Sequence, residues 1–442
     1  MTPFRRMSPR RPAIGRAALS LCLAAATWLP AAAQDADAAL RAADPDSPVT
    51  GASPLVLPPI RTAELPAPPA DMDTARAVWR DAHARVAEFP RGHADLLRWE
   101  SRQPPTHEAS ATTTAVSQDR LGLDEAVARS LRWRPELFIH ADMNALARAR
   151  VRAAYAGHVR EVQQAWIEAV AAQQSWHLQN GMRDAARTGT ELGERMWATG
   201  NWSQARQAAE RLAEAQAWQA SVKAQARALV AQERLARLLG VWTAEAVRQM
   251  AASLPETLPG LPPLEPGDAR GLEAQALHAL PGLAQDRQQL QRLQAGSAAP
   301  RQRNWDAAVE AAIGARPDAL QTANPPQIND LQLLRDAALA QTIQARAGVL
   351  RQAVERRSRV REAWLRVQAT HALASHAQDV VARLQAGLEQ ETLLRYNGML
   401  QSTWDLLASA RERMRALDDA TQARAEAWQA RADLQALLAG AE

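Results

Sequence analysis

The chain carries one long helical pattern twice, and a duplicated pair of rods leaves few folds open to it. Val162-Gln-Gln-Ala-Trp166 answers to Val360-Arg-Glu-Ala-Trp364. Trp197, Gly200 and Ser203 answer to Tyr396, Gly398 and Ser402, and Leu235, Leu238 and Leu239 answer to Leu434, Leu437 and Leu438. One copy runs from Val159 to Gly240 and the other from about Arg357 to Gly440, at an offset of 198 residues at the first landmark and 199 at the other two, apart from Gly200 and Gly398, which are 198 apart.

Each copy reads as two long helices joined by a tight turn. Val159, Val162, Trp166 and Ala169 recur at intervals of three and four, as do Val360, Trp364 and Val367, which draws a narrow apolar stripe down one helical face. From Val159 to Trp197 is 39 residues, roughly 58 Å of helix at the standard rise, and the return from Ser203 to Leu239 is 37. Gly200-Asn201 and Asn397-Gly398 supply the left-handed geometry that stops a helix, and Ser203 and Ser402 are suited to cap the next one. The predicted fold class is therefore all-α, with elongated tandem hairpins and little or no β-structure.

These residues resemble the TolC family of outer-membrane efflux ducts, whose protomers carry two such hairpins in tandem. The resemblance is carried by Tyr396-Asn-Gly-Met-Leu-Gln-Ser402-Thr-Trp-Asp405, by the terminal Leu434-Gln-Ala-Leu-Leu-Ala-Gly440, and by the acidic helix start Leu123-Asp124-Glu125 followed by Pro135-Glu-Leu137. The grammar of that start returns at Ala276-Leu277 and Pro281-Gly-Leu283. The likeness covers Leu121 to Gly440. It implies residues 121–252 as a first repeat, a Pro-rich crossing strap over 253–267, and residues 268–442 as a second repeat. It also implies that the hairpin tips meet the periplasmic adaptor protein of a tripartite pump, through Trp197, Gly200, Asn201 and Ser203 in one tip and Tyr396, Gly398, Met399 and Ser402 in the other. Glu389 and Glu391, one to two turns before the second tip, match positions where the family's acidic residues narrow the tube. A homotrimer is the implied assembly.

The same resemblance exposes a departure. Each half of such a duct sends a β-hairpin into the outer membrane, and a membrane strand needs about 9 to 11 residues of alternating character. In the first half the insertion point falls near Ala156-Gly157-His158, yet Arg152 to Val162 runs straight from helix to helix. In the second half, Trp305 to Ile313 alternates as one strand would, although helix propensity favours an Ala-rich helix capped by Asn304. Pro317 and Pro325-Pro326 rule out a long partner strand. Two readings stand: a TolC-like efflux component without most or all of the barrel strands, or a non-conducting periplasmic coiled-coil scaffold or regulator.

Composition agrees with rods. The 442 residues include fourteen Trp but only three Phe and two Tyr, which suits helices packed through Ala and Leu better than a globular core. Residues 1–33 read as a secretory signal, with Arg5, Arg6, Arg10, Arg11 and Arg16 ahead of an apolar stretch and Ala31-Ala32-Ala33 as the cleavage site. Losing that segment removes five arginines and no acid, so a formal +4 becomes −1, and the basic balance is not evidence for a nucleic-acid partner. Cys22 is the single cysteine and lies inside the signal, which leaves the processed chain without disulfides; Leu21 before it is a poor fit to a lipid-attachment site. The expected location is the periplasm or the periplasmic side of the outer membrane. Residues 34–120 read as a Pro-rich linker and a short helical extension over Asp71 to Trp99.

Catalysis finds no support. His371 and His376 are five apart and do not share a helical face, and His83, His93 and His107 have no carboxylate at a metalloenzyme spacing. There is no phosphate-binding Gly loop and no nucleophile elbow. Neither a cofactor nor a metal is expected.

Overall fold

The computed structural model describes residues 38–46, 77, 120–264, 269–296, 299–315 and 325–441. The signal, nearly all of the linker and the 71–99 extension expected from the sequence lie outside these residues. The described elements are helical, with no strand among them.

A short helix α1 (Ala38–Ala43) precedes the first repeat. That repeat comprises α2 (Leu123–Leu131), a 3-10 turn over Pro135–Leu137, α3 (Ala145–Ala198), α4 (Gln204–Leu239) and α5 (Ala244–Ser253). Beyond the strap come α6 (Ala269–Ala279), α7 (Leu283–Gly296), α8 (Ala299–Gly314), α9 (Leu331–Arg335), α10 (Ala337–His376), α11 (Arg383–Asn397) and α12 (Thr403–Leu438).

The first hairpin is α3 with α4. Its ascending arm is longer than the periodicity suggested: α3 starts at Ala145, where Asn144 accepts a hydrogen bond from the Ala147 amide, and continues for 54 residues. Gly157, at the expected insertion point, sits inside that helix. The corresponding stretch of the second half is also helix, because Trp305 to Ile313 lies within α8. Asn304 is inside α8, so it does not cap it; the helix begins five residues earlier.

The two arms close on small side chains. Ala165, Ala169, Ala228 and Ala231 are buried between α3 and α4, with Val162, Trp166 and Leu235 filling the wider layer beside them. Alanine lets helix axes approach closely at almost no cost in side-chain entropy. Polar pairs fix the register: Arg234 donates to Glu168 at 2.8 Å, Ser221 to Asn180 at 2.6 Å and Arg211 to Glu194 at 2.9 Å. Gln164 and Gln179 of α3 donate to Asp433 and Asp418 of α12, which lays the two hairpins side by side.

The second hairpin explains the drift in offset between the copies. Between α10 and α11 the backbone does not break; residues Ala377–Ala382 form one π-helical segment whose flanking residues keep right-handed helical dihedrals. A π turn holds one residue more than an α turn. The copies are 198 residues apart at Trp166 and Trp364, before this segment, and 199 apart at Trp197 and Tyr396, after it. One extra residue is thus absorbed in a widened turn, and both ends stay in phase with α12.

The strap crosses the helices in extended form and is held by their side chains. Leu254 and Leu258 are buried, while Arg424 donates to the Leu258 carbonyl at 3.2 Å and Trp428 Nε1 to the Pro259 carbonyl at 3.1 Å. The proline-rich strap forms no helix or ladder of its own, so its carbonyls need other donors, and these side chains supply two of them. Both repeats end in a left-handed glycine, Gly240 and Gly440. At Gly440 a Cβ would lie 2.4 Å from the Ala279 carbonyl oxygen, so the close approach of α6 demands glycine as much as the φ of +94° does.

A buried pair holds α2 onto α3. Ser130 Oγ donates to the Val127 carbonyl at 2.7 Å and accepts from His158 Nε2 at 2.9 Å. The geometry invites comparison with a nucleophile and its base, but the hydroxyl is fully buried and its proton is already committed. Burial, and then the charge of Arg134, lower the His158 pKa from its ordinary 6.5 against the pull of Glu161 and Glu136. The folded state therefore prefers the neutral ring, and the unfolded chain takes up the proton first as pH falls. Stability should decline as pH drops through 6.5 and level off below the folded pKa, with a slope of up to about 1.4 kcal/mol per pH unit in between. Unfolding of His158→Gln against the parent across pH 5 to 8 checks this: the variant should lose that component of the slope.

Candidate docking tips

The first tip is a helix stop followed at once by a helix start. Gly200 adopts φ +77°, its amide bonds the Trp197 carbonyl at 2.9 Å, and the Asn201 amide reaches the Met196 carbonyl at 2.9 Å. This doubled closure satisfies the last carbonyls of α3. Ser203 then caps α4 by accepting from the Arg206 amide at 3.3 Å.

The second tip repeats the bonds with a different residue at the bend. The Met399 amide bonds Tyr396 and the Leu400 amide bonds Arg395, and the left-handed residue is Met399, at φ 58°. Gly398 has φ −80°, so it does not play the part that the alignment with Gly200 gave it. The structural counterpart of Gly200 is Met399, at the 199-residue offset. A non-glycine residue there is strained by about 1–2 kcal/mol. Ser402 caps α12 reciprocally with Asp405: the Asp405 amide donates to Ser402 Oγ at 3.3 Å, and the Ser402 amide donates to Asp405 Oδ2 at 2.9 Å. The Ser402 hydroxyl, then the Ser402 amide, hold the Asp405 carboxyl below its usual range.

What joins the tips was not read from the sequence. The Trp202 and Trp404 rings pack at 4.4 Å between centroids, one from each tip, and the Arg206 guanidinium lies 4.2 Å from the Trp202 ring and 5.9 Å from that of Trp404. Such cation–π stacking adds to the burial of the rings. Trp202 also folds back onto α3 at Gly193, where a Cβ would meet its ring at 2.9 Å. The available signal was the excess of tryptophan, two of which flank the capping serines at Trp202-Ser203 and Ser402-Thr403-Trp404.

The eight residues matched to adaptor contact thus sit at two neighbouring tips, where Ser203 and Ser402 cap helices and Trp197, Tyr396 and Met399 are exposed. Around the second bend the apolar surface is broad: Leu393, Leu394, Met399 and Leu400 are exposed, the last two at 65% and 66%. The two glutamates sit in ion pairs. Glu389 accepts from Arg413 of α12 at 2.5 Å, within the hairpin, and Glu391 pairs with Arg395 one turn on. Among the described residues no group of three or more His, Asp or Glu is placed to hold a metal ion, and no helix is long and apolar enough to cross a membrane.

The chain matches no family model, and no curated protein by sequence. Solved outer-membrane channels resemble it in structure. CusC is 13% identical over 72% of this chain and 95% of its own, at a TM-score of 0.49. CmeC of Campylobacter jejuni is 11% identical over 67% and 66%, at 0.48, and the outer-membrane channel OprN is 17% identical over 73% and 71%, at 0.47.

Proposed function

We propose that this chain is a TolC-like component of a cell-envelope efflux system, with its helical hairpin tips docking a periplasmic adaptor and small molecules or metal ions as the exported class. The observation that carries the reading is the pair of tandem hairpins ending in two matched, capped tips, one of which exposes Leu393, Leu394, Met399 and Leu400 beside a strained bend. Apolar side chains on a pre-formed turn are the kind of surface that a partner helix covers.

A second reading is favoured by one observation. Where duct protomers insert membrane strands, the described residues continue as helix, in α3 through Gly157 and in α8. That favours a periplasmic scaffold that docks partners without conducting. Fractionation separates the two. Heat-resistant trimers in the outer-membrane fraction support the duct, whereas a monomer released by osmotic shock ends it.

Met399→Gly tests the tips directly. Relief of the left-handed strain, less the entropy that glycine adds to the unfolded chain, should stabilise the protein by about 0.5–1 kcal/mol. Adaptor capture through a photo-crosslinker at Leu400 should fall in the same variant. A stabilised variant with undiminished capture would remove Met399 from the contact.

A further inference from the structure

The stretch from Arg132 to Arg152 stands apart from the rest of the chain in charge. It holds five arginines against Glu136 and Asp142, a formal +3, while the chain beyond the signal sums to −1. Two of those arginines are used internally: Arg134 pairs with Glu136, and Arg148 donates to the Ala141 and Met143 carbonyls at 3.0 and 2.9 Å. Those bonds tie the 138–144 loop to the first turn of α3, and the Ser130–His158 contact ties the end of α2 to the same helix. The whole stretch is therefore gathered at the N-terminal end of α3, around which Arg150 and Arg152, two residues apart, point to different sides of the helix. In that stretch Arg132, Arg150 and Arg152 are exposed and enter no ion pair of the described residues.

Apolar side chains lie among these cations. Trp133 is exposed although its ring edge covers Gly240, and Phe138 and Ile139 stand about half exposed, side by side on the loop. Exposed aromatic and aliphatic groups interleaved with arginine make up the composition that settles at a membrane–water interface. A lipid surface asks for no shape match, only for exposed apolar groups beside cations, and Phe138 and Ile139 are about half exposed.

We propose that this surface docks on an anionic lipid bilayer, with Arg132, Arg150 and Arg152 against headgroup phosphates and Trp133, Phe138 and Ile139 in the headgroup layer. The attachment is peripheral, and it holds for either reading of the function. Each arginine contributes about a fivefold gain in partition at low salt, and the gain is screened as ionic strength rises.

The mature protein expected from the sequence has no cysteine, which allows a direct test. Protein recovered from the cell envelope, carrying Phe138→Cys with a polarity-sensitive dye, is mixed with vesicles of phosphatidylglycerol and phosphatidylethanolamine or of phosphatidylcholine alone. A blue shift on the anionic vesicles only, absent from a label placed by Asn201→Cys, is expected. Flotation with those vesicles should weaken about 25-fold in Arg150→Gln/Arg152→Gln and stay unchanged in Arg227→Gln, a substitution on the exposed face of α4. Equal shifts on both lipids, no shift at all, or equal losses in the two variants would overturn the proposal. So would a shift produced without lipid by raising protein concentration, which would assign the surface to a second copy of the chain.

Discussion

Arg357→Ala is expected to destabilise the protein by about 3–5 kcal/mol, because it leaves a fully buried carboxylate without its main counter-charge. Glu273 of α6 is completely inaccessible, and Arg357 of α10 donates to its Oε2 at 2.6 Å. The other guanidinium nitrogen of Arg357 donates to the Asp44 carbonyl at 2.8 Å, and Arg287 reaches the Asp44 carboxylate at 3.5 Å. One side chain therefore fastens α6 and the residues after α1 to the second hairpin. Arg361 stands 3.8 Å from Glu273 Oε1, too far to replace it. Equilibrium urea unfolding followed by circular dichroism gives the cost. Adding Glu273→Leu to Arg357→Ala should recover much of it, since removing both charges costs less than stranding one. A single-variant loss below about 1 kcal/mol would mean that water reaches Glu273.

Trp166→Ala should be comparably severe, at about 3–5 kcal/mol. The Trp166 ring is 4% exposed within the core formed by α2, α3, α4, α5 and the strap, and its Nε1 donates to the Leu121 carbonyl at 2.9 Å. Losing it opens a cavity and frees the chain entering α2. Its repeat counterpart, Trp364, is only part-buried, so Trp364→Ala should cost about half as much, in proportion to the area withdrawn from water. Unfolding the two variants side by side checks the ranking; equal costs would imply that the two cores are equivalent, which the burial contradicts.

The hairpins were legible because their signals are local. The three-and-four spacing around Trp166 and Val360, the serines at 203 and 402, and the glycines that end each repeat all act within one or two helical turns. Three things were not legible. The apolar stripe places the start of α3 at Val159, whereas the helix runs from Ala145 through Gly157; a glycine inside a packed helix costs about 1 kcal/mol, which its neighbours supply. The bend of the second tip reads as Gly398 because Met at positive φ is uncommon, although the 199-residue offset on either side of it lands on Met399, where the structure puts the left-handed residue. The Trp202–Trp404 stack and the Glu273–Arg357 pair join residues 202 and 84 apart, and no periodicity reports contacts of that range. At α8 the alternating pattern competed with an Ala-rich composition, and helix propensity prevailed over Trp305 to Ile313.

The widened turn at Ala377–Ala382 has a consequence for how such a chain can change. A residue gained within a rod of about 60 residues would normally rotate everything beyond it by some 100° and strip the buried face from its partner. Here the slack is taken up in one place, so the far end, with Tyr396 and Met399, keeps its orientation. The two halves can in this way diverge in length without diverging in shape, and duplicated rods tolerate a mutational event that a single regular helix would not.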